Sequence, residues 1–255
     1  MESDLDIKIE SATNELNEEI NNSSSFIKLF ITIFLIILVI VILNSSFFDV
    51  QEIIVTNNNT LSQEEIIMFS GIRRGQSTYR INKEQITELL KENPLIGNAE
   101  VSVKFPNKLI INVIERTPRC LIPYRGNYLV VATDKVVIRA VPNRDSIKLP
   151  LVIGLNPEEP LLGLPITGNK IDEVIAILNL LDKKLYSLLL QIDIENYLMY
   201  IKNQATAEII KVELGNMQEI GRKITNLRSI LAQMNLEAIQ TIDIRKPHLP
   251  TIIKR

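Results

Sequence analysis

The chain has 255 residues, a formal net charge of −2 and a single cysteine, Cys120. This length allows one or two modest domains, and the scattered Lys and Arg residues give no support for nucleic-acid binding. One cysteine excludes an intramolecular disulfide. Because His248 is the sole histidine, no metal site built on Cys and His is expected, and no cofactor is predicted.

The N-terminal part of the sequence predicts a tail and a membrane anchor. Residues 1–25 are polar and acidic and have no sustained apolar stripe, so we expect a disordered tail. An almost wholly apolar stretch follows from Phe26 to Leu43, interrupted only by Lys28 and Thr32. With the residues up to 48 it is long enough for a helix that crosses a bilayer, which needs roughly 20 residues. The sequence therefore predicts a transmembrane helix over residues 26–48.

The apolar stretch could instead be a cleaved signal peptide or a buried core helix. A signal peptide carries a basic n-region and a cleavage site of small residues. The tail here is acidic and no Ala-x-Ala follows Leu43, so we expect an uncleaved anchor. Lys8 and Lys28 lie on the N-terminal side of the span, and Arg73 is the first basic residue after Leu43. This distribution favours a cytoplasmic N-terminus and an extracytoplasmic C-terminal part.

A strand and a capped helix are predicted after the anchor. Val50–Thr56 is rich in β-branched residues and is followed by three asparagines, which is typical of a strand and a turn. Ser62 and Glu65 have the spacing of a capping box. A helix is therefore predicted from Gln63 to Ser70, with Gly71 as its left-handed stop.

The same pattern repeats once and is followed by a hairpin. Asn82 is the predicted cap of a second helix, which ends at Asn93-Pro94 because the residue before proline disfavours helical backbone. Apolar and polar residues then alternate from Ala99 to Phe105 and from Leu109 to Val113, on either side of a turn. The order β-α-α-β-β from Val50 to Arg116 predicts a small α+β domain.

Beyond Arg119 the sequence predicts a second, mixed α/β domain. Five prolines between residues 142 and 165 break one stretch into extended or looped pieces, and a helix with one apolar face is predicted from Lys170 to Leu181. The predicted strands of this part are Cys120–Tyr124, Tyr128–Ala132, Val136–Val141, Leu188–Glu195, Leu198–Asn203, Ala207–Leu214, Ala238–Arg245 and Thr251–Lys254.

The last long helix is predicted to open at Gly215-Asn216, where Asn216 is the cap and Glu219 completes a capping box. An apolar stripe from Met217 to Met234 follows with 3-4-3-4 spacing. Because the stripe covers fewer than the three or four heptads that a coiled coil needs, we expect a helix that lies on a sheet.

Three segments carry motifs that occur together in one family. Asn93–Pro118 contains Asn-Pro-x-Ile, an alternating hairpin around Phe-Pro-Asn, and Glu-Arg-x-Pro. Val212–Leu231 is a strand-Gly-helix block, and Thr241–Arg245 matches an Ile-Asp-Leu-Arg strand. By these motifs the chain resembles the bacterial cell-division family FtsQ/DivIB. Thr133–Val136 departs from that family, which usually has a glycine in this turn.

The resemblance implies a domain order and a role. It implies a disordered cytoplasmic tail (1–25), a transmembrane helix (26–48), a POTRA domain (49–117) and a β domain (118–255) with a C-terminal edge strand. It also implies a non-enzymatic, single-pass membrane scaffold at the division septum, which links division proteins for septal cell-wall synthesis. The partners implied are small bitopic division proteins of the FtsB/DivIC and FtsL type.

The resemblance also implies a partner-binding strand. In the family the C-terminal edge strand receives FtsB or DivIC, which points to Thr251, Ile252, Ile253 and Lys254. An edge strand offers unpaired N–H and C=O groups to which a partner segment can add itself. The alternative, that this strand only closes its own sheet, stays open. Val50–Thr56 is a second candidate edge.

Enzymatic function is the main alternative. Asp193 and Glu195 fall on one face of a predicted strand, as the two carboxylates of a glycosidase can, so a membrane-anchored cell-wall-remodelling enzyme is the second hypothesis. The sequence has no Gly-x-Ser-x-Gly nucleophile elbow, and Gly71–Gly75 lacks the Gly-Lys-Ser/Thr of a phosphate loop. A POTRA chaperone that receives translocating polypeptides is a third hypothesis.

Overall fold

The computed structural model describes residues 27–42, 45–145, 147–168, 170–204, 206, 208–233 and 239–254. The predicted tail over residues 1–25 lies outside these residues. Helix α1 covers residues 27–42, and its large apolar side chains are exposed. Among the helices of the described ranges, none combines the length and the apolar character that crossing a bilayer requires.

The part after α1 has the predicted α+β order. Strand β1 (Glu52–Thr56) is followed by helices α2 (Gln63–Ser70) and α3 (Lys83–Lys91), and then by strands β2 (Ile96–Lys104) and β3 (Lys108–Glu115). The three strands form one sheet in the order β1-β3-β2. The prediction of a β-α-α-β-β arrangement is therefore confirmed.

Helix α2 has both predicted ends. The Ser62 hydroxyl accepts a hydrogen bond from the Glu65 N–H at 3.2 Å, and the Glu65 carboxylate accepts one from the Ser62 N–H at 2.8 Å. The Ser62 N–H and the Ser62 hydroxyl both donate to the Glu65 carboxylate, and these two bonds hold the pKa of Glu65 below its usual value. Gly71 ends the helix in the left-handed region, with φ of 67°. The capping box and the glycine stop were both readable because each is a contact between near neighbours in the chain.

The rest of the chain is built on a nine-stranded mixed sheet. Its strands are β4 (Pro118–Tyr124), β5 (Asn127–Ala132), β6 (Val137–Val141), β7 (Leu151–Ile153), β8 (Leu189–Asp193), β9 (Leu198–Lys202), β10 (Ile209–Glu213), β11 (Ile239–Asp243) and β12 (Thr251–Lys254). Their order across the sheet is β12-β11-β10-β9-β8-β7-β4-β5-β6. The pairs β10–β11, β7–β8 and β4–β7 are parallel, and the other pairs are antiparallel.

Three helices pack on this sheet: α4 (Ile171–Leu180), α5 (Lys183–Leu188) and α6 (Ile220–Gln233). Their buried side chains join alternate residues of the strands in one apolar core. Leu227 of α6 and Ile242 of β11 are both fully buried there. Full burial of such side chains stabilises the fold by about 1.5–3 kcal/mol each. The prediction that the last helix lies on a sheet is confirmed.

Helix α6 begins later than predicted, at Ile220. The Asn216 side-chain oxygen accepts hydrogen bonds from the Gln218 N–H and from the Lys223 ammonium group instead of opening the helix. Glu219 adopts a positive φ of 50°, and its carboxylate pairs with Arg222 instead of completing a capping box. The predicted capping box at Asn216 is therefore wrong, because a lysine one turn inside the helix occupies the cap oxygen.

Two short elements were not predicted. Leu188, which the pattern placed in a strand, ends helix α5; this helix is capped by Asp182, whose carboxylate accepts from the Leu185 N–H at 2.8 Å. Strand β7 has only three residues, too few to show an alternating pattern. It nevertheless lies inside the sheet, in parallel register with both β4 and β8.

The described backbone divides into two compact units. The first unit holds the residues up to Ile54 together with Ile72–Lys83 and Val101–Ile111. The second unit holds Val55–Gly71, Glu84–Glu100 and the residues from Asn112 onward.

Candidate partner-binding edge

Strand β12 is the terminal strand at one end of the nine-stranded sheet, so Thr251–Lys254 form an edge as predicted. It pairs antiparallel with β11, and Ile252 lies opposite Ile242. Among the described residues no strand lies beyond β12. One side of this short strand therefore carries backbone N–H and C=O groups that no neighbouring strand of the sheet uses.

The side chains of β12 face two different environments. Ile252 is partly buried against the core that α4, α5 and α6 cover. Ile253 points the other way, since side chains alternate along a strand, and 51% of it is exposed. Thr251 and Lys254 are also exposed. A strand added beside β12 would therefore find one exposed isoleucine on that face.

The loop that leads into β12 is tied to β11 and to α6. The Arg245 guanidinium donates to both carboxylate oxygens of Asp243, with distances of 2.6–3.1 Å, and it lowers the pKa of that carboxyl. The Asn226 side-chain amide on α6 donates to the Pro247 carbonyl at 2.6 Å. Arg222, one turn earlier, lies 3.2 Å from the exposed His248 ring. These contacts fix the direction in which the chain enters the edge strand.

A buried lysine of α6 binds the end of β10, close to the loop that leads into β12. Lys223 is only 1% exposed, and its ammonium group donates to the Leu214 and Asn216 carbonyls and to the Asn216 side-chain oxygen, at 2.8–3.0 Å. Burial lowers the pKa of Lys223, and the Glu219 carboxylate acts in the opposite sense. Gly215 lies between these residues with φ of 75°, and a Cβ there would come within 2.8 Å of the Arg245 side chain. The end of β10, the start of α6 and the loop before β12 thus support one another.

At the opposite end of the sheet, the start of strand β6 is covered by its own chain. In β6 the Val137 N–H donates to the Leu164 carbonyl at 3.1 Å, and the Val137 carbonyl accepts from the Gly163 N–H at 2.9 Å. The Ile166 N–H donates to the Lys135 carbonyl, also at 2.9 Å. The segment 163–166 therefore occupies backbone groups at the start of this edge, where a partner strand would otherwise add.

The second candidate edge has a shorter strand than predicted. Strand β1 begins at Glu52 and is an outer strand of the three-stranded sheet. Val50, the predicted first residue, exchanges backbone hydrogen bonds with Gly75 and Gln76 instead.

The two carboxylates considered for catalysis are not on one strand face. Strand β8 ends at Asp193, and Glu195 lies in the turn that follows, so that prediction is wrong. The Asp193 carboxylate accepts hydrogen bonds from the backbone and side-chain N–H groups of Asn196 at 3.1 and 2.9 Å. These bonds shape the tight turn between β8 and β9.

The lone thiol is a core residue. Cys120 on β4 is fully buried, and burial raises the pKa of its thiol to about 12. A thiol with so high a pKa is almost wholly protonated at neutral pH, and only the thiolate is nucleophilic. Cys120 therefore contributes packing to the core and no reactive group to a site.

The Glu-Arg-x-Pro motif has a structural basis that spacing alone did not reveal. Burial raises the pKa of Glu115, but bonds from the Leu61, Asn59 and Thr60 N–H groups outweigh it and lower the pKa overall. The next residue, Arg116, donates to the Asp134 carboxylate at 2.7 Å and to two backbone carbonyls at residues 94 and 96.

The turn that departs from the family pattern keeps a left-handed residue without glycine. Lys135 adopts φ of 69° there, and its side chain pairs with Asp172 at 2.8 Å. Asp134 in the same turn is the partner of Arg116. The motif residue and the unusual turn are therefore joined by one ion pair.

Comparison with known proteins connects this fold to cell division. A family model described as "POTRA domain, FtsQ-type" matches residues 48–116. The chain is 29% identical to the cell division protein FtsQ of Syntrophotalea carbinolica over 145 residues, which are 56% of this chain and 51% of that protein. It is 26% identical to the cell division protein DivIB of Clostridium tetani over 194 residues, covering 73% of this chain and 71% of the relative. It is also 30% identical to DivIB of Staphylococcus aureus over 69 residues, covering 27% and 16% respectively. The matched part thus spans about half the length of the Syntrophotalea relative.

Proposed function

Because the chain belongs to the FtsQ/DivIB family of bacterial cell-division proteins, we propose that it is a non-enzymatic scaffold that links division proteins for septal cell-wall synthesis. The observation that carries this proposal is the FtsQ-type POTRA match over the β-α-α-β-β part of the chain. A scaffold needs free surfaces for other proteins and no reacting groups. The outer side of β12, beyond which no strand of the described residues lies, supports this proposal.

The proposal includes a single membrane anchor. Residues 26–48 cross the cell membrane, residues 1–25 lie in the cytoplasm, and the domains over 49–117 and 118–255 lie outside the cytoplasm at the division septum. The apolar stretch Phe26–Leu43 and the exposed apolar side chains of α1 support this arrangement. Confinement to a membrane raises the effective concentration of partners, so modest interfaces suffice for assembly.

The proposed docking site is the backbone edge of Thr251, Ile252, Ile253 and Lys254. A segment of a small bitopic division protein of the FtsB/DivIC type adds there as a further strand, and a protein of the FtsL type joins the same assembly. The position of β12 at the end of the sheet and the exposure of Ile253 support this site. The shortness of β12 and Lys254 limit unwanted pairing between copies, as is usual for natural edge strands.

Proline substitution at two neighbouring positions tests strand addition. In an antiparallel pair, successive residues alternate between bonding the neighbouring strand and turning their N–H and C=O groups away from it. Proline removes one N–H donor. Of Ile252→Pro and Ile253→Pro, one should weaken the β11–β12 pairing and lower the thermal midpoint. The other should leave the midpoint nearly unchanged and reduce co-purification of a co-expressed FtsB/DivIC-type partner by about tenfold, the effect of roughly 1.4 kcal/mol.

A truncation and a matched substitution complete the test. The chain that ends at Leu249 should stay folded and lose the partner. Leu249→Asp is the control for Ile253→Asp, because both are exposed apolar residues and only Ile253 lies in the strand. Undiminished recovery of the partner by the truncated chain would place the docking edge elsewhere.

A further inference from the structure

Four aromatic rings form a contiguous row in the first unit, directly after α1. Phe47, Phe48, Tyr79 and Phe105 follow one another with ring centroids 5.1, 4.9 and 5.1 Å apart, and we call this row the aromatic ladder. Phe47, Tyr79 and Phe105 are 60%, 51% and 58% exposed. Large aromatic side chains are normally buried, and a contiguous exposed apolar patch is a common mark of an interaction surface.

Backbone hydrogen bonds hold the ladder in place. Its members come from three segments of the chain, which are joined by bonds from the Val50 N–H to the Gln76 carbonyl at 2.8 Å and from the Gln51 N–H to the Asn107 carbonyl at 2.9 Å. The buried Thr78 hydroxyl donates to the Pro106 carbonyl at 3.1 Å. The exposed rings are therefore presented by a fixed frame.

The ladder begins within a few residues of α1. The Ser45 N–H donates to the carbonyl of Ile42, the last described residue of α1, at 3.1 Å. The Ser45 hydroxyl then accepts from the Phe47 N–H, capping the 3-10 turn Ser46–Phe48. The first two rings are thus tied to the C-terminal end of the apolar helix by short-range hydrogen bonds.

Positive charge is concentrated in the same unit. The whole chain has a net charge of −2, yet basic residues outnumber acidic ones in the first unit after α1. The basic residues there are Arg73, Arg74, Arg80, Lys83, Lys104 and Lys108, and the acidic ones are Asp49 and Glu52. Arg80 and Lys104 are the sequence neighbours of the ladder residues Tyr79 and Phe105. Basic residues close to a membrane are attracted to anionic lipid headgroups.

We propose that the aromatic ladder is a second membrane contact, lying in the headgroup region of an anionic bilayer with these basic residues against the lipid phosphates. This inference rests on the proposed function, because α1 must bring the unit to the membrane. Aromatic side chains are enriched at the membrane–water interface, where the ring contacts the acyl chains and a tyrosine hydroxyl stays hydrated. Continuity with α1 and the local excess of positive charge favour a lipid surface over a protein groove as the occupant.

The absence of tryptophan from the sequence allows a direct test. The full-length Phe105→Trp chain, reconstituted in vesicles of phosphatidylglycerol and phosphatidylcholine, would carry one tryptophan as its reporter. Lipids brominated in the acyl chain should quench its fluorescence at least about twofold more than that of Ile114→Trp, since interfacial side chains reach the acyl boundary. Ile114 is a matched control because it is 59% exposed and lies near the other end of β3 from the turn that holds Phe105. Quenching of Phe105→Trp should weaken in pure phosphatidylcholine and at high salt.

Flotation of the same samples separates this inference from the anchor. Chains that float with the vesicles but show equal quenching at positions 105 and 114 would overturn the ladder contact and leave the anchor intact. Chains that do not float would overturn the anchor and the ladder contact together. Phe47→Trp repeats the measurement at the other end of the ladder, so a folding defect of one variant does not decide the result. If the lipids quenched neither ladder variant and a protein bound at that surface, the ladder would be assigned to a protein partner instead.

Discussion

The two ends of the nine-stranded sheet differ in what covers them. At β6, the segment 163–166 returns along the edge and bonds the backbone of Val137 and Lys135. At β12, no strand of the described chain lies beyond Thr251–Lys254. A sheet edge left without a partner invites pairing with other chains, so most proteins shorten, charge or cover their edges. This molecule covers the start of one edge strand with its own backbone and leaves the other edge strand short and basic.

The difference indicates how strand addition at the proposed docking edge can be selective. Strand addition uses backbone groups that every strand possesses, so selectivity depends on which edge is available. Covering the start of β6 removes backbone groups from that edge, whereas no strand of the described residues lies beyond β12. The contacts of Asp243, Arg245 and Asn226 then determine how that edge is presented.

The largest loss of folding stability is expected from changing Lys223, which supports the end of the sheet that carries β12. Lys223→Met keeps most of the side-chain length but removes the ammonium group that donates to the Leu214 and Asn216 carbonyls, although the Leu214 carbonyl keeps its bond from the Asn216 N–H. We expect a loss of roughly 1.5–3 kcal/mol in the free energy of unfolding, measured by urea denaturation, since hydrogen bonds to charged groups contribute about that much. Amide exchange in β10 and β11 should also rise, whereas the β4–β6 end should change less.

The exposed Lys183 on α5 offers a matched control. Lys183→Met makes the same chemical change at the surface and should alter stability by less than about 0.5 kcal/mol. If both variants lost equally little stability, Lys223 would not be the support of the β10–α6 junction.

A smaller loss of folding stability is expected from loosening the segment 163–166 that covers the start of β6. Gly163 has φ of 80°, so Gly163→Ala should cost about 1–2 kcal/mol in the free energy of unfolding and loosen the segment over Val137. Gly126→Ala is the matched control, because Gly126 also has φ of 80° but lies in the β4–β5 turn with open space around it. Both variants should lose similar stability, and only Gly163→Ala should self-associate more, as measured by sedimentation velocity. Equal self-association of the two would break the distinction between a covered and an open edge.

Several features set by near neighbours in the sequence were predictable, although the capping box predicted at Asn216 was wrong. The Ser62–Glu65 capping box and the β2–β3 hairpin were identified correctly because their partners lie within a few residues of one another. The edge position of β12 was also identified, but from the resemblance to a family and not from periodicity. Four residues with one proline before them do not by themselves define an edge.

Features set by distant neighbours were missed. Arg116 reaches carbonyls about 20 residues earlier and a carboxylate 18 residues later, and the aromatic ladder joins three segments of the chain. Lys223 is not part of the predicted apolar stripe of the last helix, although its charge is buried against two carbonyls. Such contacts depend on the fold of the whole unit, so local patterns of apolar and polar residues do not encode them.

The smallest expected change in folding stability occurs at low pH and involves the loop before strand β12. The bonds from Arg245 hold the pKa of Asp243 below the unfolded value, which is about 3.9 for an aspartate. A group with a lowered pKa contributes stability that is present above the unfolded pKa and is lost as the pH falls through the folded pKa. Between pH 7 and 5 this ion pair should therefore cause no change in the urea midpoint. Below about pH 4 the wild type should lose the stability that the pair contributes. Asp243→Asn lacks that contribution already at neutral pH. The pair is partly exposed and screened by salt, so the difference should be small. A gap between wild type and Asp243→Asn that stayed constant down to pH 2 would show that this ion pair does not hold the loop before β12.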